Sequence, residues 1–219
     1  MRADALICFS KTGPMKYIGH LDLLKLFQRA VRRCGLPVNF SEGFNPHLRV
    51  TFALPLPLGM EGMREYAVFE MGEDVPADAI GERLRAVLPA EIGIEGARYM
   101  SPGEKSPAAA VCAADYALRF CNAGVEEAAR YILDNEVIEA EKSAKSGKKT
   151  VDIKPDIYGM EVLGNTVTMR IAAGSARSLK PEHAARAIAP GEEYTCRRLE
   201  LLKRAGEGFI SLFENPQLS

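Results

Sequence analysis

Between His20 and Cys34 the apolar residues Leu23, Leu24, Phe27, Ala30, Val31 and Cys34 recur at three- and four-residue steps, the period of a helix with one face against a core. Lys25, Arg29, Arg32 and Arg33 take the other side, so the spacing that predicts the helix also predicts a basic face on it. Gly35 and then Pro37 stop it, the first by tolerating a left-handed backbone and the second by lacking an amide hydrogen. Around this helix, Asp4–Phe9, Leu48–Leu54, Tyr66–Met71 and Ile92–Tyr99 are strand-like apolar runs, and Ala77–Leu88 reads as a helix between two prolines. The resulting order, β-α-β-β-α-β, is the split βαβ pattern.

A second series follows the stretch SPGEKSPAAA, whose Pro, Ser and small residues read as a linker. Tyr116–Cys121, Thr166–Ala172 and Tyr194–Leu202 have strand character, and Val125–Asn135 and Pro181–Ala189 have helical character. Val137–Glu141 and Val151–Ile153 read as the arms of a hairpin around AKSGKK. With that extra pair the order again fits β-α-β-β-α-β. The expected fold is therefore α+β, two tandem ferredoxin-like halves with antiparallel sheets, divided as residues 1–100, a linker over 101–112, and 113–219. It rests on element order, because no residue-level repeat joins the halves.

Composition narrows the class. The chain has 219 residues, 47% apolar and 26% charged, enough to bury a sizeable core and too apolar to stay disordered. No apolar run approaches the ~20 residues of a membrane helix, and the opening MRADALICFSKTG has too short an apolar stretch for a signal peptide, so a cytoplasmic protein is expected. The five cysteines are scattered and form no CxxC pair, which points to free thiols and to no metal site. The net charge of −1 hides a segregation: Met1–Met60 carries eight basic side chains against three acidic ones, and an acidic stretch follows from Glu61. A segregated basic part suits an anionic partner.

The densest group of candidate binding residues lies there. It comprises Lys16, His20, Asp22, Arg29, Arg32, Arg33, Asn45, His47 and Arg49, in which arginines suit phosphate or carboxylate and the GFNPH turn offers exposed backbone donors. Lys16, Arg29, Arg32 and His47 are expected to converge on one accessible concavity. His20 and His47 are also the candidates for an acid/base pair in phosphodiester cleavage. Against these stand plain structural readings: Asp22 as a partner of the helix dipole, the arginines as a solvated face, Asn45-Pro46 as a turn initiator. A second basic group, Lys145, Lys148, Lys149 and Lys154 with Asp152, surrounds the hairpin tip. Its GKKT is not a P-loop, since Lys142 stands where a glycine is needed and Lys149 where Ser or Thr is. No GxGxxG, HExxH or GxSxG motif and no cysteine cluster is present, so hydride transfer, zinc hydrolysis, serine acyl transfer and self-contained radical chemistry lack their carriers.

The run YIGHLDLLKLFQRAVRRCGLPVNFSEGFNPHLRVTFALPLPLG resembles the opening of the radical-SAM-linked family of uncharacterised bacterial proteins, with VDIKPDI as a weaker marker further on. The matching positions are His20, Asp22, Arg29, Arg32, Arg33, Gly35, Pro37, Glu42, Gly43, Phe44, Asn45, Pro46, His47, Arg49, Gly59, Asp152 and Pro155. Leu48 stands where the family pattern has proline, and Met60 where it has serine. The resemblance implies a stand-alone accessory module that binds RNA or a component of the translation apparatus and works with a separate radical SAM enzyme. S-adenosylmethionine, the iron–sulfur cluster and cobalamin are implied for that partner and not for this chain. The layout is also similar to that of tandem ferredoxin-like CRISPR endoribonucleases, which keeps a metal-independent nuclease as the alternative. A protein-docking adaptor using the acidic stretch is the third possibility.

Overall fold

The computed structural model describes residues 4–121, 124–144 and 147–215. The chain is of mixed α+β class with antiparallel strand pairs, and it divides into two compact units, Met1–Val111 with Lys203–Ser219, and Cys112–Leu202. Residues 203–215, expected with the second half, belong to the first unit. Among the described residues no helix is long and apolar enough to cross a membrane.

In the first unit, β1 (Asp4–Lys11) leads through a 3-10 turn (Gly13–Tyr17) into α1 (His20–Cys34), followed by β2 (Val50–Phe52), β3 (Glu61–Glu70), α2 (Ala77–Arg85) and β4 (Ile94–Tyr99). β1 pairs with both β3 and β4, and β2 pairs with β3, all antiparallel. The strand order is β4-β1-β3-β2. α1 has the bounds its periodicity predicts, and Gly35 caps it at φ 66° in the left-handed region. Its buried residues Leu23, Phe27, Ala30 and Val31 pack on Ala5, Ile7, Phe9, Ala67 and Phe69 of the sheet. Phe27 is the hub, with ring centroids 4.9 Å from Phe9, 5.4 Å from Phe52 and 6.2 Å from Phe69. Such tilted and edge-on contacts hold a ring in one orientation.

The expected linker is only partly one. Residues 107–110 form a helical turn, α3 (Pro107–Ala110), and β5 begins at Val111. Glu104 accepts hydrogen bonds from Arg98 Nη1 (2.9 Å), from Arg98 Nη2 (2.5 Å) and from the Ser101 amide (3.0 Å). Arg98 in turn donates to the carbonyls of Phe213 (2.6 Å) and Leu212 (3.1 Å), so this ion pair fastens the returning end of the chain to the first unit. Burial pushes the Glu104 carboxyl up, but hydrogen bonds from Arg98 and Ser101 and the charges of Arg98 and Lys203 outweigh it and hold the group at about 2. A depressed folded value means stabilisation that is complete above the unfolded value near 4.5 and is lost as pH falls toward 2. Glu104→Gln should therefore flatten the acid limb of a thermal-unfolding profile between those values. An unchanged limb would assign acid sensitivity to other carboxylates.

In the second unit, β5 (Val111–Phe120) is followed by α4 (Val125–Asp134), the hairpin β6 (Glu139–Ala144) and β7 (Gly147–Asp152), β8 (Ile157–Leu163), β9 (Thr166–Ala172), α5 (Pro181–Ile188) and β10 (Tyr194–Ala205). β9 pairs antiparallel with β5 and β8, the strand order is β10-β5-β9-β8, and β6-β7 forms its own two-stranded sheet. β8 was not expected. Its only buried-leaning positions alternate weakly around Gly159, and Tyr158, Glu161 and Leu163 are exposed. The chain then returns to the first unit, where β11 (Gly208–Ser211) pairs with the end of β10. There Ser211 Oγ lies 3.0 Å from the Tyr66 hydroxyl, and the Phe213 ring stacks on Tyr66 at 6.5 Å.

Candidate nucleic-acid interface

α1 sets the interface because its two faces are so unlike. At 100° per residue, Lys25, Arg29, Arg32 and Arg33 fall on one side and Leu23, Phe27, Ala30 and Val31 on the other, and all four basic side chains are exposed. Lys25 lies 3.6 Å from Asp22, an exposed pair. Among the described residues, no acidic side chain pairs with Arg29, Arg32 or Arg33. A row of unneutralised guanidinium groups on a rigid helix is suited to successive phosphates, each of which accepts two parallel N–H donors.

Beside this face stands the turn 41–47. The Ser41 amide donates to the His47 carbonyl (2.8 Å), the His47 amide donates to Ser41 Oγ (3.1 Å), and His47 Nδ1 sits 2.9 Å from the same Oγ. A β-bridge between Phe40 and Leu48 continues the neck. Gly43, at φ 115°, supplies a backbone that side-chain-bearing residues rarely adopt, which lets the tip reverse. Gln28 Nε2 reaches the Leu48 carbonyl at 3.4 Å and ties the neck to α1. Gln28 lies on the flank of the helix between Lys25 and Arg32, so the turn stands next to the basic face. Asn45 and His47 are both exposed on it.

Lys16 does not join Arg32 and Arg33 in the single concavity expected from the sequence. Lys16 precedes α1 and Arg32 and Arg33 lie in its last turn, roughly 20 Å along the axis. The Lys16 ammonium sits 5.2 Å from the Tyr17 ring, and its carbonyl accepts the Gly59 amide. Arg49 turns away as well, because side chains alternate along β2: Val50 and Phe52 face the core under α1, whereas Arg49 lines a cavity of about 420 Å³ with Asp4, Thr51, Val68 and Glu70. It is 3.2 Å from the Glu70 carboxylate. Burial and then the Glu70 charge raise the Asp4 carboxyl above its usual range. What remains is an open helix face with a turn at its flank.

The histidines do not form an acid/base pair. His20 packs edge-on against Phe52 with centroids 5.5 Å apart. His47 is five residues away from Phe52 along an extended segment, about 16 Å of chain. One phosphodiester cannot bridge two rings so placed.

In the second unit, Lys149 is exposed on β7, and the side chain of Lys148, opposite Ser143, lies outside the described residues, as does Lys145. Lys154 is occupied: its ammonium contacts the carbonyls of Ile132 (3.3 Å) and Leu133 at the C-terminal end of α4. Asp152 accepts the amides of Ile138 (3.0 Å) and Lys154 (2.9 Å), and these bonds lower its carboxyl. Both therefore act on local backbone. Of the cysteines, Cys8 is buried, Cys121 is exposed, and burial pushes Cys196 up to about 12.

The residues that sequence reasoning left out are aromatic and apolar. Phe44, at the tip of the turn, is fully exposed at 106% of its reference area, and Phe40 at the neck is 52% exposed. Their signal was present: an aromatic between Gly43 and Asn45-Pro46 belongs to no apolar period and has no core to enter.

Among solved structures, the chain aligns with the crystal structure of a Cbf5-Nop10-Gar1 complex at a TM-score of 0.45 and 11% identity, over 90% of this chain and 48% of that one. It aligns with the crystal structure of the archaeal box H/ACA sRNP Nop10-Cbf5 complex at 0.41 and 13%, over 89% and 46%. The chain thus spans about half the length of each. None of the curated proteins matches it. The model of a family described as an uncharacterised protein conserved in bacteria (DUF2344) matches residues 5–181, a span that takes in α1, the 41–47 turn and the β6-β7 hairpin. The chain belongs to that family.

Proposed function

We propose that the chain is an RNA-recognition module that grips the sugar-phosphate backbone through the basic face of α1 and presents the RNA to a separate radical SAM enzyme. The observation that carries the RNA reading is the row Arg29, Arg32 and Arg33, exposed on one helix face and not paired with any acid among the described residues. The strand orders β4-β1-β3-β2 and β10-β5-β9-β8 support reading the two units as tandem ferredoxin-like halves. The radical SAM partner rests on the resemblance of the His20–Gly59 region, and S-adenosylmethionine, the cluster and cobalamin belong to that partner. Cleavage by this chain is not part of the reading, since His20 and His47 stand on separate sites.

Binding of a short single-stranded RNA pool in a filter assay tests it. With three or more phosphate contacts, log affinity should fall against log salt with a slope of about −2 or steeper, at about −0.7 per contact on a single strand. The RNA should be recovered intact. Absence of binding at low salt would overturn the reading.

A further inference from the structure

We infer that Phe44 is a stacking platform for an unpaired base, which makes single-stranded or looped RNA the preferred substrate of the basic face. This deepens the proposed function and rests on it. The ring is fully exposed, so it contributes nothing to the core. Yet its turn is closed by the Ser41–His47 bonds and the Phe40–Leu48 bridge and fastened to α1 through Gln28 and Leu48. A ring held out on a pinned turn loses little freedom when a ligand meets it.

Charge decides what that ligand is. The turn that carries Phe44 is tied at its neck to α1, the helix whose exposed face bears Lys25, Arg29 and Arg32, and a partner that offers both a flat π-face and regularly spaced negative charge is a single nucleic-acid strand. A duplex offers the charge but keeps its base faces stacked inside. RNA-binding surfaces meet unpaired bases with aromatic rings for this reason. Phe40, half exposed at the foot of the same turn, supplies a second apolar surface along the path.

The chain has no tryptophan, so Phe44→Trp places a unique reporter at the tip. Its emission should be quenched by a labelled-free 12-nucleotide RNA strand and left unchanged by the duplex of the same sequence. With fluorescently labelled RNA and the otherwise unaltered chain, Phe44→Ala should weaken single-strand binding by about 5- to 150-fold, the range one stacked base contributes. It should leave the salt slope and the duplex affinity unchanged. Phe44→Leu should behave like the alanine variant, because it keeps apolar bulk and removes the π-face. If the parent binds RNA with an arginine-dependent slope but Phe44→Ala and Phe44→Leu bind equally well, the stacking role is overturned and the exposed ring is left to a protein partner. Equal loss on strand and duplex overturns it too, since the turn would then act through the shape of the basic face. If the parent binds no RNA, the underlying function fails first, an outcome distinct from either.

Discussion

Replacing Arg29, Arg32 and Arg33 together by alanine should flatten the salt dependence of RNA binding by about 2 units, and should weaken binding at 50 mM salt by roughly two orders of magnitude or more. Both figures come from one source. Each neutralised phosphate on a single strand releases about 0.7 of a counterion, so three contacts change the log–log slope by about 2, and the loss grows as salt is lowered. The loss should be similar for unrelated sequences, because phosphate contacts carry no base information. The corresponding lysine variants should keep most of the slope while losing some affinity, since the charge survives and the two-pronged geometry does not. The fold should be nearly unaffected, because all three side chains are exposed and none is tied to an acid among the described residues. A slope unchanged in the triple alanine variant would show that α1 does not meet the backbone.

The second large effect is on stability. Phe27→Ala should cost about 3–5 kcal/mol, measured by urea denaturation followed by far-ultraviolet circular dichroism. Phe27 is fully buried and touches Phe9, Phe52 and Phe69, so its removal leaves a cavity lined by three rings that cannot all move in. Phe27→Leu should cost roughly 1–2 kcal/mol, because most of the volume stays. A loss below about 1 kcal/mol for the alanine variant would mean that the pocket collapses readily and that α1 is held elsewhere. The two predictions separate cleanly along one helix: the same residues that make it amphipathic divide it into an anchoring side and a binding side.

Period was the part of this molecule that could be read from its sequence. α1 emerged with its observed ends because one strong helical repeat is bounded by a glycine cap, and β9 emerged likewise because polar and apolar residues alternate from Thr166 to Ile171. β3 was read too short, since its first residues Glu61, Met63 and Arg64 are polar or exposed and pair through backbone, which leaves no mark on side-chain pattern. β8 was missed for a related reason, with exposed Tyr158, Glu161 and Leu163 and a glycine at its centre. For the site, the basic residues were visible and their directions were not. Arg49 looked equivalent to Arg32 in composition, yet strand alternation sends it to the Glu70 carboxylate and away from α1. Phe44 belongs to no apolar period, which marks it as a ring without a core, but its place at the tip of a closed turn is set by the Ser41–His47 bonds and leaves no mark on the pattern.

The return of residues 203–215 to the first unit has a consequence for how the protein is made. Within this stretch a ribosome delivers β1 to β4 first and the whole of Cys112–Leu202 next, so the first unit is completed only after the second has been made. Until Ser211 and Phe213 have emerged, Tyr66 lacks both its hydroxyl partner and the ring that stacks on it, and Arg98 lacks the carbonyls of Leu212 and Phe213. The nascent chain therefore carries an unfinished sheet face while the second unit is made, the kind of transiently exposed apolar surface on which aggregation begins and chaperones act. The second unit can fold from a continuous stretch of chain, whereas the first must wait for an end that comes about a hundred residues later.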